Sequence, residues 1–181
     1  MQEHYFYFTR HGQTVWNLED KVTGATDVPL TDQGRAQARA LGERIQREGI
    51  HIDEIWYSPL QRAAETAHIV AEINGIPMRA EQRLIEQNFG KYEATWNQSQ
   101  EFLLAKEAFA DHYGNGESMM RLCQRTYNLL DELRDDDSGR IYLLVAHNGI
   151  SRAVESYFHD MTNYDFANFR MKNCELKKYV F

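Results

Sequence analysis

The chain has 181 residues, 43% of them apolar and 26% charged, which is the profile of one ordinary globular domain, and a chain this long can bury roughly 70% of its unfolded surface. Its formal net charge of −7 argues against a duplex nucleic-acid binder, which needs a basic footprint. It does not exclude an enzyme of phosphorylated substrates, because a small acidic protein can still focus several arginines into one cleft. Two cysteines without CxxC spacing, Cys123 and Cys174, fit a reducing compartment and argue against a zinc site. The first residues lack the pattern of a signal peptide, and the longest clean apolar run, Ile141 to Ala146, is too short to cross a bilayer. The expected setting is the cytoplasm.

Residues 5–9 read as a buried aromatic strand that ends on Arg10, His11 and Gly12. A buried strand seldom finishes on a guanidinium and an imidazole side by side unless an anion is to be met there. Thr31 is a plausible N-cap for a helix with Ala38, Leu41 and Ile45 on one face and Gly49 as its stop. Ile52 to Tyr57 is a second strand. Ser58-Pro59 is read as an N-cap followed by proline at the first helical position, opening a helix to about Ile73 that Asn74-Gly75 ends. Ile76 to Arg79 adds a short strand. Residues 93–117, polar and Gly-punctuated, are expected as an excursion over the sheet edge. Ser118 to Leu133 is a third helix, and the run "RDDDSGR" turns the chain. Ile141 to Ala146 has the composition of a central parallel strand, and a fourth helix follows Asn148-Gly149. The C-terminal "ELKKYVF" looks like an edge strand. Strands alternating with helices give an α/β fold, a three-layer sandwich with a mostly parallel central sheet flanked by helices and one antiparallel edge strand, as a single domain over residues 1–181.

In such sheets the ligand lies beyond the carboxyl ends of the strands, so the strand-to-helix junctions should carry the chemistry. The first strand ends on Arg10 and His11, the second leads to Arg62 at the start of its helix, and the strand at 141–146 ends on His147. Each has a bland reading alone: a structural histidine, a solvated helix arginine, a charge at a strand end. Together, at equivalent junctions, two arginines and two histidines describe a site for a phosphoryl group. Guanidinium forks match phosphate oxygens bidentately and keep their charge. Gly12 lets the backbone approach closely, and the helix N-termini after Ser58 and Asn148 are expected to add amide donors. Flanking guanidiniums also disfavour protonation of an imidazole, which keeps a nitrogen lone pair available for attack.

The ordered motifs "RHGQTVWN", "GATDVPLTDQGRAQA", "SPLQRAAETA", "LIEQNFGKYE", "GES" and "AHNG" cover nearly the whole chain. In this order the sequence resembles the histidine phosphatase superfamily, in the branch of phosphoglycerate mutase-like phosphatases. The resemblance implies that His11 is the nucleophile that becomes a phosphohistidine, that Arg10 and Arg62 clamp phosphate, and that His147 bonds a phosphoryl oxygen. It further implies that Asn17 donates to the phosphate and that Glu86 is the proton donor to the leaving oxygen. Composition alone would leave Glu86 an unremarkable surface residue. Gln13, Tyr92, Ala94 and Asn148 depart from the common Glu, Trp, Gly and Gly. Ala94 and Asn148 stand where they could alter the pocket rim. Thr23 sits where relatives place substrate contacts, with a local hydrogen bond as the equal alternative.

The expected activity is therefore a cytosolic phosphomonoesterase that needs no metal or other cofactor and acts on a small phosphorylated metabolite. Inorganic phosphate or sulfate should bind the site; no nucleic-acid or membrane partner is expected, and the C-terminal edge strand offers a place for homodimer pairing. The nearest rival is a mutase, disfavoured because only about thirty residues separate Glu86 from Gly116, whereas the mutases resembled carry a longer insertion there. A facial metal site of two His and one carboxylate is disfavoured by the guanidiniums beside it. A noncatalytic phosphate-binding module is the third alternative.

Overall fold

In the computed structural model, which describes residues 4–181, the aromatic run is strand β1 (Tyr5–Arg10). The other strands are β2 (Glu54–Tyr57), β3 (Met78–Ala80), β4 (Tyr142–Ala146) and β5 (Leu176–Val180). They form one sheet in the order β3-β2-β4-β1-β5. All contacts are parallel except β1 with β5, which run antiparallel, as expected for the C-terminal edge. Strand β4 is at the centre and every one of its residues is buried, which explains its unbroken apolar sequence.

The faces of β4 alternate, and each side chain selects a layer. Leu143 and Val145 join Leu41 and Ile45 of helix α2 (Asp32–Glu48) and Ala67 and Val70 of helix α3 (Gln61–Asn74). Leu144 and Ala146 join Leu122 and Leu129 of helix α5 (Met119–Arg134) and Ile150 and Val154 of helix α6 (Asn148–Phe158). Burying each Leu, Ile or Val contributes roughly 1.5–3 kcal/mol, so the two cores are the main hold of the helices on the sheet. Thr31 caps α2 by accepting from the Gly34 amide, and Gly49 closes it in the left-handed conformation at φ 62°.

Several expectations are corrected. Ser58 does not cap α3: Leu60 holds the N-cap position and the helix starts at Gln61. The Ser58 hydroxyl is instead engaged with His147, a tertiary bond that displaces the local capping geometry. Residues 93–117 are more than the polar, Gly-punctuated excursion that the sequence suggested. They contain helix α4 (Gln100–Ala105) and a small cluster in which Phe102 and Tyr113 pack with Val22, Phe89 and Tyr92. Val22 exchanges backbone bonds with Ala94 and Thr95, which fixes the segment beside the carboxyl end of the sheet. Two further short helices, α1 (Val15–Leu18) and α7 (Asn163–Asn168), are too brief to show a period in the sequence. Among the described residues, no helix is long and apolar enough to cross a membrane.

Candidate active site

Parallel pairing of β1 with β4 puts Arg10 opposite Ala146, so the residues that follow, His11 and His147, leave the sheet side by side. Their rings stand 5.1 Å apart between centroids. The His11 amide donates to the Ala146 carbonyl at 2.9 Å, and its carbonyl accepts from Asn173 Nδ2 at 2.7 Å. The nucleophile candidate therefore sits on a backbone held from both sides.

The tautomer of His11 follows from its partner. Nδ1 lies 2.7 Å from the Gly12 carbonyl, which can only accept, so Nδ1 carries the proton and Nε2 keeps the lone pair. Burial, then the charges of Arg62 and Arg10, hold His11 well below the usual imidazole range, and the neutral ring persists at neutral pH. Gly12 makes this turn possible. A Cβ there would come 2.4 Å from the Gly34 carbonyl oxygen at the start of α2. The Gly12 amide donates to Thr66 Oγ1, which donates in turn to the Arg62 carbonyl, tying the first junction to the second.

Arg62 is fully buried. Its Nε donates to His147 Nδ1 at 3.2 Å, Nη1 to the Thr26 carbonyl and Nη2 to the Gly24 carbonyl. Since His147 Nδ1 accepts, Nε2 bears the proton and donates to Ser58 Oγ at 2.7 Å. Burial and the neighbouring Arg62 charge hold His147, too, well below its ordinary value. Arg10 donates through Nη1 to the Met171 carbonyl, while its Nε is buried without a hydrogen-bond partner among the described residues. Burial lowers the Arg10 guanidinium to about 10, still charged near neutrality.

Arg10, His11, Asn17, Thr23, Glu86 and Asn148 line one cavity of about 110 Å³. Arg62 and His147 stand behind its wall, against His11. Asn17 closes a capping box on Thr14: its Oδ1 accepts the Thr14 amide, which leaves its Nδ2 donor uncommitted at the cavity. Glu86 is buried, with Oε1 accepting from the Gln87 amide at 2.8 Å and Oε2 from the Gly149 amide at 2.9 Å. The N-terminal amide of α6 thus serves Glu86 rather than facing a free anion, as the sequence suggested. Gly149 permits the approach, since a Cβ there would meet Glu86 Oε1 at 2.2 Å. Thr23 keeps its local bond, donating to the Lys21 carbonyl, and lines the cavity as well. Asn148 lines the cavity and binds the chain ahead, donating one Nδ2–H to the Phe169 carbonyl and accepting the Met171 amide.

Further residues take part beside those that the sequence reading placed in the site. Glu93 accepts from the Ala25 and Thr26 amides and from the Thr26 hydroxyl, fixing the loop whose carbonyls hold Arg62. Lys106 and Arg152 are buried and line the cavity. Nothing near either in sequence marks it as more than a helix cation.

The family model described as "Histidine phosphatase superfamily (branch 1)" matches residues 6–181. Phosphoglycerate mutase-like protein 4 of Arabidopsis thaliana is 34% identical over 154 residues, covering 80% of this chain and 66% of that protein, slightly under two thirds of its length. A probable phosphoglycerate mutase GpmB of Yersinia pestis (strain Pestoides F) is 31% identical over 179 residues, covering 95% and 82%. Among solved structures, Bacillus stearothermophilus YhfR superposes with a TM-score of 0.83 at 28% identity, over 96% of this chain and 89% of that one. The mycobacterial glucosyl-3-phosphoglycerate phosphatase gives 0.82 at 25% identity, over 98% and 90%. The junction histidines, the guanidiniums around them and the matched length lead to one conclusion: the chain belongs to the histidine phosphatase superfamily, branch 1.

Proposed function

We propose that this protein is a metal-independent phosphomonoesterase that hydrolyses a small phosphorylated metabolite through a phosphohistidine on His11. The observation that carries the reading is the state of His11: buried, neutral, its Nδ1–H fixed on the Gly12 carbonyl and its Nε2 lone pair free beside Arg10 and Arg62. Nε2 attacks phosphorus in line as the ester oxygen leaves with a proton from Glu86. Water then attacks the phosphohistidine, Glu86 takes its proton, and phosphate departs with His11 neutral again.

Charge gathers on the equatorial oxygens during both steps, and their stabilisation falls to preorganised donors. Arg10 brings a buried Nε–H with no partner of its own. Arg62 keeps one N–H on each terminal nitrogen beyond those bound to Gly24 and Thr26. His147 contributes by redirecting its Nε2–H from Ser58 to a phosphoryl oxygen, and Asn17 by its Nδ2. The two guanidiniums would repel a divalent cation, which supports a reaction without one.

A mutase is the second reading, favoured by the names of the Arabidopsis and Yersinia relatives. Such an enzyme would return the phosphoryl group to its product instead of giving it to water. Both readings are tested together by incubating the protein with aryl and alkyl phosphates in EDTA, and with 3-phosphoglycerate plus a bisphosphate primer. Phosphate release that survives the chelator is the expected result. Rapid formation of 2-phosphoglycerate without phosphate release would reverse the order, and activity restored only by a divalent metal would overturn the metal-free mechanism.

A further inference from the structure

Resting on the phosphatase reading, we propose that the substrate carries a second anionic group, bound by Lys106, Arg152 and Arg170 in the cavity that presents His11. The cavity wall holds five cationic side chains, Arg10, Lys21, Lys106, Arg152 and Arg170, against one carboxylate, Glu86. Lys21 has its own partner, Glu19, at 2.6 Å. Arg10 belongs to the phosphoryl site. Glu86 is the carboxylate whose charge most favours the Arg152 cation, but its oxygens accept backbone amides and, among the described residues, no ion pair joins the two. That leaves three cations that, among the described residues, neither the phosphoryl site nor an ion pair accounts for.

Two of the three are buried: Lys106 is 3% exposed and Arg152 6%. A buried charge is costly unless it is paired, so unpaired cations around a cavity call for an anion there. Each has one neutral backbone acceptor instead. Lys106 Nζ donates to the Ala167 carbonyl at 3.4 Å and Arg152 Nε to the Phe169 carbonyl at 3.3 Å. These bonds aim the heads while leaving the other N–H groups free. Burial, then the charges of Arg152 and Arg170, lower Lys106 to about 8, the cost of holding it beside like charges.

The same short segment builds the whole wall. Arg10 donates to the Met171 carbonyl, and Asn148 binds both Phe169 and Met171. Residues 167–171 are thus strapped down by Lys106, Asn148, Arg152 and Arg10, and Arg170 rides on the strap at the cavity rim. The departure at Asn148 gains a role here: it positions the strap. A carboxylate and a second phosphate share the chemistry these cations recognise.

The test compares kcat/KM for three esters: glycerol 3-phosphate, 3-phosphoglycerate, which replaces its terminal CH₂OH by a carboxylate, and propane-1,3-diol bisphosphate. At least one doubly anionic ester should exceed glycerol 3-phosphate by tenfold or more, and the winner identifies the second group. Arg170→Ala, an exposed site, and Lys106→Met should each reduce that preference at least fivefold, while Lys106→Arg should retain it. If the protein hydrolyses p-nitrophenyl phosphate yet shows no preference, or if the variants slow all three esters equally, the cations merely serve the phosphoryl group and this inference alone fails. If no ester is hydrolysed, the phosphatase reading fails. Calorimetric binding of 3-phosphoglycerate and propane-1,3-diol bisphosphate against glycerol 3-phosphate then decides the second site: tighter binding of either doubly anionic ester upholds it, and equal affinity overturns it.

Discussion

Glu86 separates two kinds of knowledge about single residues. Arg10 and His11 could be suspected from chemistry, because a strand ending on guanidinium and imidazole asks for an anion. Glu86 could not; only the resemblance singled it out, and the structure then placed it, buried, on the cavity with His11. Its neighbour Glu93, the other carboxylate within reach of the same loop, is committed to the 25–26 backbone and does not line the cavity. A proton donor matters only when the leaving oxygen needs a proton. Glu86→Gln should therefore slow phosphorylation of His11 by an alkyl phosphate ~10²–10⁴-fold, the usual range for general acid catalysis. p-Nitrophenyl phosphate, whose leaving group is a stable anion, should lose far less. Single-turnover rates are the measurement, because in the proposed mechanism the second step also uses this carboxylate. Equal losses for both esters would make Glu86 a positioning residue.

At the level of elements, the sequence showed what local physics decides. Strand β4 announced its central place by the unbroken apolar run that the sheet then buries, and α2 by its Thr31 cap and Gly49 stop. Ser58 misled because a tertiary partner, His147, outweighed a capping position that sequence alone favours. The 93–117 segment misled for the same reason: Phe102 and Tyr113 find their apolar partners in Val22 and Phe89, far away in the chain. The junction after β1 is also tertiary, and it makes a sharp prediction. Backbone lies against backbone there: a Cβ on Gly12 would stand 2.4 Å from the Gly34 oxygen, and one on Gly34 would stand 2.1 Å from the Gln13 oxygen. No flexible side chain can yield. Gly12→Ala should cost roughly 1–3 kcal/mol, as overpacking does, read from the urea midpoint at unchanged slope. A loss below about 0.5 kcal/mol, the scatter of ordinary surface substitutions, would mean that the turn is looser than its contacts imply.

Across the whole molecule, function depends on which strands are neighbours. The sequence supplied the strands and even the sense of the last one, but periodicity carries no information about lateral order. Only the sheet, with β1 beside β4 and β2 on the other side of β4, brings the junctions of residues 10–12, 58–62 and 146–149 to one end. Charge shows the same division. A chain of net −7 concentrates cations around one cavity, and a sum over the sequence cannot reveal that. Lys106, Arg152 and Arg170 were illegible for this reason, being separated in sequence and joined only through the 167–171 segment. The family's phosphoryl chemistry fits this arrangement through a single atom, Nε2 of His11. Mixing the protein with a ³²P-labelled phosphomonoester and quenching within milliseconds should trap an acid-labile, alkali-stable phosphoryl group, mapped to the peptide containing His11 and missing from a folded His11→Ala variant. Label on any other residue, or hydrolysis by His11→Ala near the original rate, would contradict the account.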